Sequence, residues 1–121
     1  MAQTRLGIRL WIEGEDGTLV SSGRMRLLAL IDQLGSLNKA AKEIGMSYRR
    51  AWGRIQETEE RLGEPVVVRS RGRKGYELTE FGRQLLASWE EFRSDVSAYA
   101  GKRADAMLPW NVKLKQRGGK G

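Results

Sequence analysis

Between Gly45 and Ile55 the chain reads G-M-S-Y-R-R-A-W-G-R-I, which puts Arg49, Arg50 and Arg54 within six residues. A guanidinium is a permanent cation with a rigid fork of donors, suited to bidentate contact with a phosphate or with the edge of guanine. A second cationic group follows at Arg69, Arg71, Arg73 and Lys74, punctuated by Gly72 and Gly75 and free of acids. Both patterns belong to anion recognition, not to bond making. The chain has no cysteine and no histidine, which removes disulfides, thiolate nucleophiles, imidazole bases and the common transition-metal sites. Glu57, Glu59 and Glu60 stand beside Arg61 and read as a solvated helix face. The glycine-rich stretches lack the GxxxxGK[ST] spacing of a nucleotide cradle. No catalytic set, no metal and no cofactor is expected, so the chain does not read as an enzyme.

The net charge of +7 over 121 residues calls for an anionic partner, and its distribution narrows the choice. Residues 101–121 carry +5 and residues 39–75 another +5, while the rest of the chain is net negative. No apolar run approaches the roughly 18 residues that span a bilayer. The first twenty residues mix Arg5, Arg9, Glu13, Glu15 and Asp16 among apolar positions, which does not resemble an export signal, so a cytoplasmic location is expected.

The elements that must position these cations follow from periodicity. Leu6 to Ile12 alternates with a period of two, with Leu6, Ile8, Leu10 and Ile12 on one side and Arg9 and Trp11 on the other. It reads as a strand that turns at Glu13–Gly17 and returns through Thr18–Val20. Ser21 or Ser22 caps a helix whose Met25, Leu28, Ile31 and Leu34 recur at helical spacing until Gly35. Ser36 caps a short second helix through Ile44, with Leu37, Ala40, Ala41 and Ile44 inward and Lys39, Lys42 and Glu43 outward. After Gly45, Ser47 caps a third helix to Leu62, with Tyr48, Ala51, Trp52, Ile55, Thr58 and Leu62 as its inner stripe. Two helices joined by a glycine-opened three-residue turn make a helix-turn-helix. Val66–Val68 and Tyr76–Leu78 read as a hairpin with its basic tip between them. Thr79 caps a last helix whose Phe81, Leu85, Trp89, Phe92, Val96 and Tyr99 form a stripe of about five turns. Beyond Gly101 the periodicity ends.

The fold expected is therefore mainly α with small β-hairpins (α+β), a winged helix-turn-helix with a long C-terminal dimerisation helix. Residues 1–100 form the DNA-binding domain, residues 79–100 its dimerisation helix, and residues 101–121 a basic, flexible tail. The third helix turns Arg49, Arg50, Gly53 and Arg54 away from the core, where Gly53 lets a phosphate or a base edge come close. Ser36 and Lys39 lie near backbone phosphates, with Ser47 and Tyr48 at the start of the recognition helix and Arg69, Arg71, Arg73 and Lys74 on a neighbouring backbone. The last helix's stripe, Phe81, Leu85, Trp89, Phe92, Val96 and Tyr99, exceeds what a three-helix core needs and is expected to pair with a second copy. Trp11 lies off its strand's apolar face, where it is either an interface residue or partly buried. The last helix is not a membrane helix, because its polar face mixes Glu80, Glu90, Glu91 and Asp95 with Arg83 and Arg93. A solvated surface, a charge-driven architectural nucleic-acid binder and a winged-helix protein adaptor are the competing readings.

The run S-L-N-K-A-A-K-E-I-G-M-S-Y-R-R-A-W-G-R-I-Q-E-T-E-E-R-L-G, residues 36 to 63, resembles the helix-turn-helix shared by LysR-type regulators and the molybdate-responsive ModE regulators. The junction L-T-x-x-G-x-x-L from Leu78 to Leu85 resembles the passage from wing to helix in both, and S-Y-R-R-A-W is closer to ModE. The resemblance covers residues 20 to 100. It implies a dimeric, sequence-specific regulator bound to double-stranded DNA, with Ser47, Tyr48, Arg49 and Arg50 opening the recognition helix and Arg71 to Lys74 in the wing. ModE proteins also carry C-terminal β-domains that bind molybdate. The 21 residues after Ala100 are too few for one, so molybdate is not expected to bind this chain.

Overall fold

The computed structural model describes residues 3–71 and 75–115. The order of elements is β1 (Thr4–Leu6), β2 (Trp11–Gly14), β3 (Gly17–Ser21), α1 (Ser22–Leu34), α2 (Leu37–Ile44), α3 (Tyr48–Leu62), β4 (Val67–Arg69), β5 (Tyr76–Leu78), α4 (Glu80–Met107) and β6 (Val112–Leu114). The chain divides into two units. One is Trp11–Trp89, and the other joins the residues before it to those from Glu90 onward.

In the first unit, three successive helices are each opened by a serine and closed by a glycine. The hydroxyls of Ser21, Ser36 and Ser47 accept from the backbone N–H three residues on, at 3.1–3.3 Å. Gly35, Gly45 and Gly63 end their helices in the left-handed conformation. The expected caps and stops therefore stand, with Ser21 rather than Ser22 at the first. Met25, Leu28 and Ile31 of α1, Leu37, Ala40 and Ala41 of α2, and Ala51 and Ile55 of α3 are buried together with Val20, Val66 and Leu78. Leu34 departs from its expected place and is exposed.

The strand expected over Leu6–Ile12 is corrected to two pieces. Only β2, from Trp11, pairs with β3, in an antiparallel hairpin. β1 instead pairs in parallel with β6, Thr4 opposite Val112 and Leu6 opposite Leu114. Side chains still alternate between exposed and half-buried from Gln3 to Leu10, so the period of two was present, but Ile12 falls on the exposed side. Pairing with residues more than a hundred positions away decides where the strand ends, and local periodicity carries no record of that.

β4 and β5 form the antiparallel wing, Val67 opposite Leu78 and Arg69 opposite Tyr76. Thr79 caps α4, its hydroxyl accepting from Gly82 N at 2.9 Å and donating to Pro65 O at 2.8 Å. α4 is longer than expected and passes Gly101 to end at Met107. β6 follows within the stretch read as a tail, so the boundary at residue 100 is corrected. Gly101 keeps helical dihedrals and lies against Leu114, its Cβ position 3.4 Å from that of Leu114.

Candidate nucleic-acid interface

α3 shows one face to solvent and one to the core. Arg49, Arg50, Gly53 and Gln56 are exposed, spaced so that Arg49, Gly53 and Gln56 follow one line along the helix. A side chain added at Gly53 would meet nothing within 4 Å. Lys39 and Ser47 are exposed nearby in sequence, while Ser36 is half-buried at its cap. Arg54 is half-exposed, and its carbonyl is used from behind. The sequence reading passed over Gln56, although its spacing from Gly53 places it on the same line.

The back of α3 is fixed by a residue the apolar stripe omitted. Arg24 of α1 is 8 % exposed. Its Nη1 donates to Thr58 Oγ1 at 2.9 Å and to Arg54 O at 3.3 Å, and its Nη2 pairs with Glu57 Oε1. Arg61 Nη1 lies 3.4 Å from the same carboxylate and donates to Thr18 O at 2.9 Å. The hydrogen bond from Arg24 holds the Glu57 carboxyl below the ordinary range, with the nearby charges of Arg24, Arg61 and Arg54 adding to it against a partial desolvation. Glu57 is thus not merely a solvated acid. The available signal was that Arg24 precedes Leu28 and Ile31 by four and seven residues, on the inward line of α1.

The wing is tied to α3 in two places. Glu59 Oε2 accepts from Val66 N at 2.8 Å and Val67 N at 3.3 Å, fixing the strand where it leaves the helix. At the other end, Tyr76 packs on Trp52 with ring centroids 5.6 Å apart and has the Arg69 guanidinium 5.5 Å over its ring. Tyr48 was expected to face inward. It is 47 % exposed, and its phenol titrates above the ordinary value because of local desolvation and a hydrogen bond with Tyr76. Two further close approaches seat the wing: a Cβ on Gly75 would stand 2.2 Å from Gly35 O, and one on Gly82 2.3 Å from Val66 O. Arg69 and Arg71 are exposed at the wing, whereas Arg73 and Lys74 lie outside the described residues.

Of the stripe on α4, Trp89 is 3 % exposed within the single chain, Phe81, Leu85 and Val96 are half-buried, and Phe92 and Tyr99 are 51 % and 66 % exposed. Trp89 is buried without a second copy, which corrects its place among the interface residues. Trp11 is exposed on the first hairpin, its Nε1 donating to Glu13 Oε1 at 2.6 Å. Among the described residues no group of acidic side chains is placed to hold a metal ion, and no helix is long and apolar enough to cross a membrane.

Three helices with a capped tight turn between the second and third, followed by a two-stranded wing and a long helix, make this a winged helix-turn-helix protein. Residues 23–83 match the model of the bacterial regulatory helix-turn-helix proteins of the lysR family, and the chain belongs to that family. It is 38 % identical over 92 residues to the molybdenum transport protein ModE of Azotobacter vinelandii, covering 74 % of this chain and 34 % of that one. Over 70 residues it is 34 % identical to the DNA-binding transcriptional dual regulator ModE of Escherichia coli K12, 55 % of this chain and 27 % of that one. It therefore spans about a third of the length of such relatives. The fold also matches the crystal structure of the CbnR_DBD-DNA complex, with a TM-score of 0.57 at 23 % identity, over 72 % of this chain and 97 % of the other.

Proposed function

We propose that this chain is a cytoplasmic, sequence-specific DNA-binding regulator of transcription, related to ModE, that enters the major groove with the N-terminal half of α3. The observation that carries the reading is the two-sidedness of α3. Arg49, Arg50, Gly53 and Gln56 are open to solvent in front, while Arg24 and Glu57 hold the helix from behind. Arginine pairs with the O6 and N7 atoms of guanine and glutamine with adenine, so this line of side chains can read base edges. Ser47, Tyr48 and Arg54 flank it; Ser36 and Lys39 meet backbone phosphates, and Arg69, Arg71, Arg73 and Lys74 of the wing hold an adjacent strand. The regulator acts as a homodimer through α4, with Phe92 and Tyr99 the open part of the stripe that Phe81, Leu85 and Val96 extend. Two-fold pairing would set the two recognition helices about 34 Å apart, for an inverted repeat.

The test is selection of bound fragments from a random duplex pool by the full chain. Enrichment of one inverted repeat, preferred about a thousandfold or more over unrelated duplex, is the expected result. Equal retention of all sequences would replace this reading with a charge-driven binder.

A further inference from the structure

The second unit carries a cationic surface that the helix-turn-helix does not use. In the parallel β1/β6 pair Arg5 stands directly beside Lys113, and Lys115 N donates to Leu6 O at 2.8 Å, carrying the ladder one residue past β6. Leu6, Val112 and Leu114 turn inward, while Arg5, Lys113 and Lys115 are exposed on the opposite face. Arg9 is exposed by the same alternation further along the extended segment. Adjacent strands lie about 4.8 Å apart, and like charges side by side on one face destabilise a sheet. Among the described residues none of these four cations makes an ion pair. Among the described residues no acid pairs with the stripe, so an anion from outside would relieve its electrostatic cost.

We propose that the Arg5–Lys113–Lys115 face of the β1/β6 sheet is a second DNA-backbone surface, which binds duplex phosphates without reading sequence and is independent of α3. The class of partner follows from what the face contains. The strand positions on this face are Arg5, Lys113 and Lys115, with no apolar residue among them, and the exposed Trp110 bonds Thr4 of the opposite face, whereas adsorption to a bilayer needs apolar groups to insert between headgroups. A polyphosphate backbone needs only cations, each displacing condensed counterions. The proposal stands whether or not α3 reads bases, and the experiment separates the two.

The full chain is titrated against a 30-base-pair duplex of arbitrary sequence over a range of NaCl concentrations, as wild type, as R5Q/K113Q/K115Q and as R49Q/R50Q. Each cation removed from a phosphate lowers the steepness of log K against log salt by about 0.9, so the sheet triple variant should lose about 2.7. R49Q/R50Q should keep that component. An unchanged slope in the triple variant overturns the proposal. Greater self-association with an unchanged slope also overturns it, because the cations would then only guard the sheet's edges against pairing. Loss of binding to vesicles of 70 % phosphatidylcholine and 30 % phosphatidylserine, with the duplex slope intact, overturns it in favour of a membrane. Should the triple variant fail to fold, K115Q, beyond the paired residues of β6, should still lower the slope by about 0.9. If R49Q/R50Q leaves duplex binding unchanged while the sheet variant weakens it, the reading of α3 fails and this one holds.

Discussion

Replacing Glu57 by glutamine isolates the device that holds the recognition helix. The glutamine keeps the shape but removes the charge that faces Arg24 and, at 3.4 Å, Arg61. Arg24, almost wholly buried, is left with Thr58 Oγ1 and the Arg54 carbonyl. A hydrogen bond to a charged group contributes about 1.5–3 kcal/mol, and because the Glu57 side chain is 41 % exposed, the lower half of that range applies. A loss of about 1.5–2 kcal/mol corresponds to a melting point lower by roughly 6–8 °C for a chain of this size. The pH dependence is the sharper part. The folded carboxyl of Glu57 titrates below its ordinary value of 4.5, so its contribution is complete above the unfolded pKa and is lost as the pH falls through the folded one. Thermal unfolding followed by circular dichroism should show the full gap between wild type and E57Q at pH 7, and that gap should narrow as the pH falls below the ordinary carboxylate range. A gap that survives acid, or no gap at neutral pH, would refute the account of the Arg24–Glu57 pair.

Other substitutions test the front of α3, the wing and the long helix separately. Gly53→Ala meets no neighbour and should stabilise the fold by about 0.5–1 kcal/mol, while weakening duplex binding if the backbone must approach a base pair closely; calorimetric unfolding and a binding titration read the two effects apart. Gly82→Ala places a methyl 2.3 Å from a backbone carbonyl and should destabilise by about 2 kcal/mol or more, visible as a lower urea midpoint. Tyr99→Ala should shift sedimentation of the full chain toward the monomer with little change in melting, because its side chain is 66 % exposed in the single chain; a dimer that persists would move the interface elsewhere.

The local signals in the sequence were strong where backbone chemistry is local. A serine that can bond the N–H three residues on, and a glycine that can turn left-handed, mark both ends of α1, α2 and α3 because each needs only its own neighbours. The outward Arg49, Arg50 and Gly53 followed from the same spacing. What was hidden depends on partners distant in sequence. β1 ends where β6 ends, and α4 continues through Gly101 because nothing turns that glycine left-handed. Arg24 is inward because Glu57 and Thr58 are there to meet it, whereas Tyr48 lies in the first turn of α3 and stays 47 % exposed. An apolar stripe records only oil in water, so it misses a buried cation with partners and misplaces an aromatic ring at an exposed helix start.

The central claim is that the exposed arginines at the start of α3 read bases. It is tested most directly by measuring the affinity of wild type and Arg50→Ala for the selected duplex and for every single base-pair variant of it. The expected result is a loss of about 1–3 kcal/mol on the selected site, together with loss of preference at one position in each half-site. A uniform loss on every sequence would place Arg50 on phosphate alone and contradict the claim.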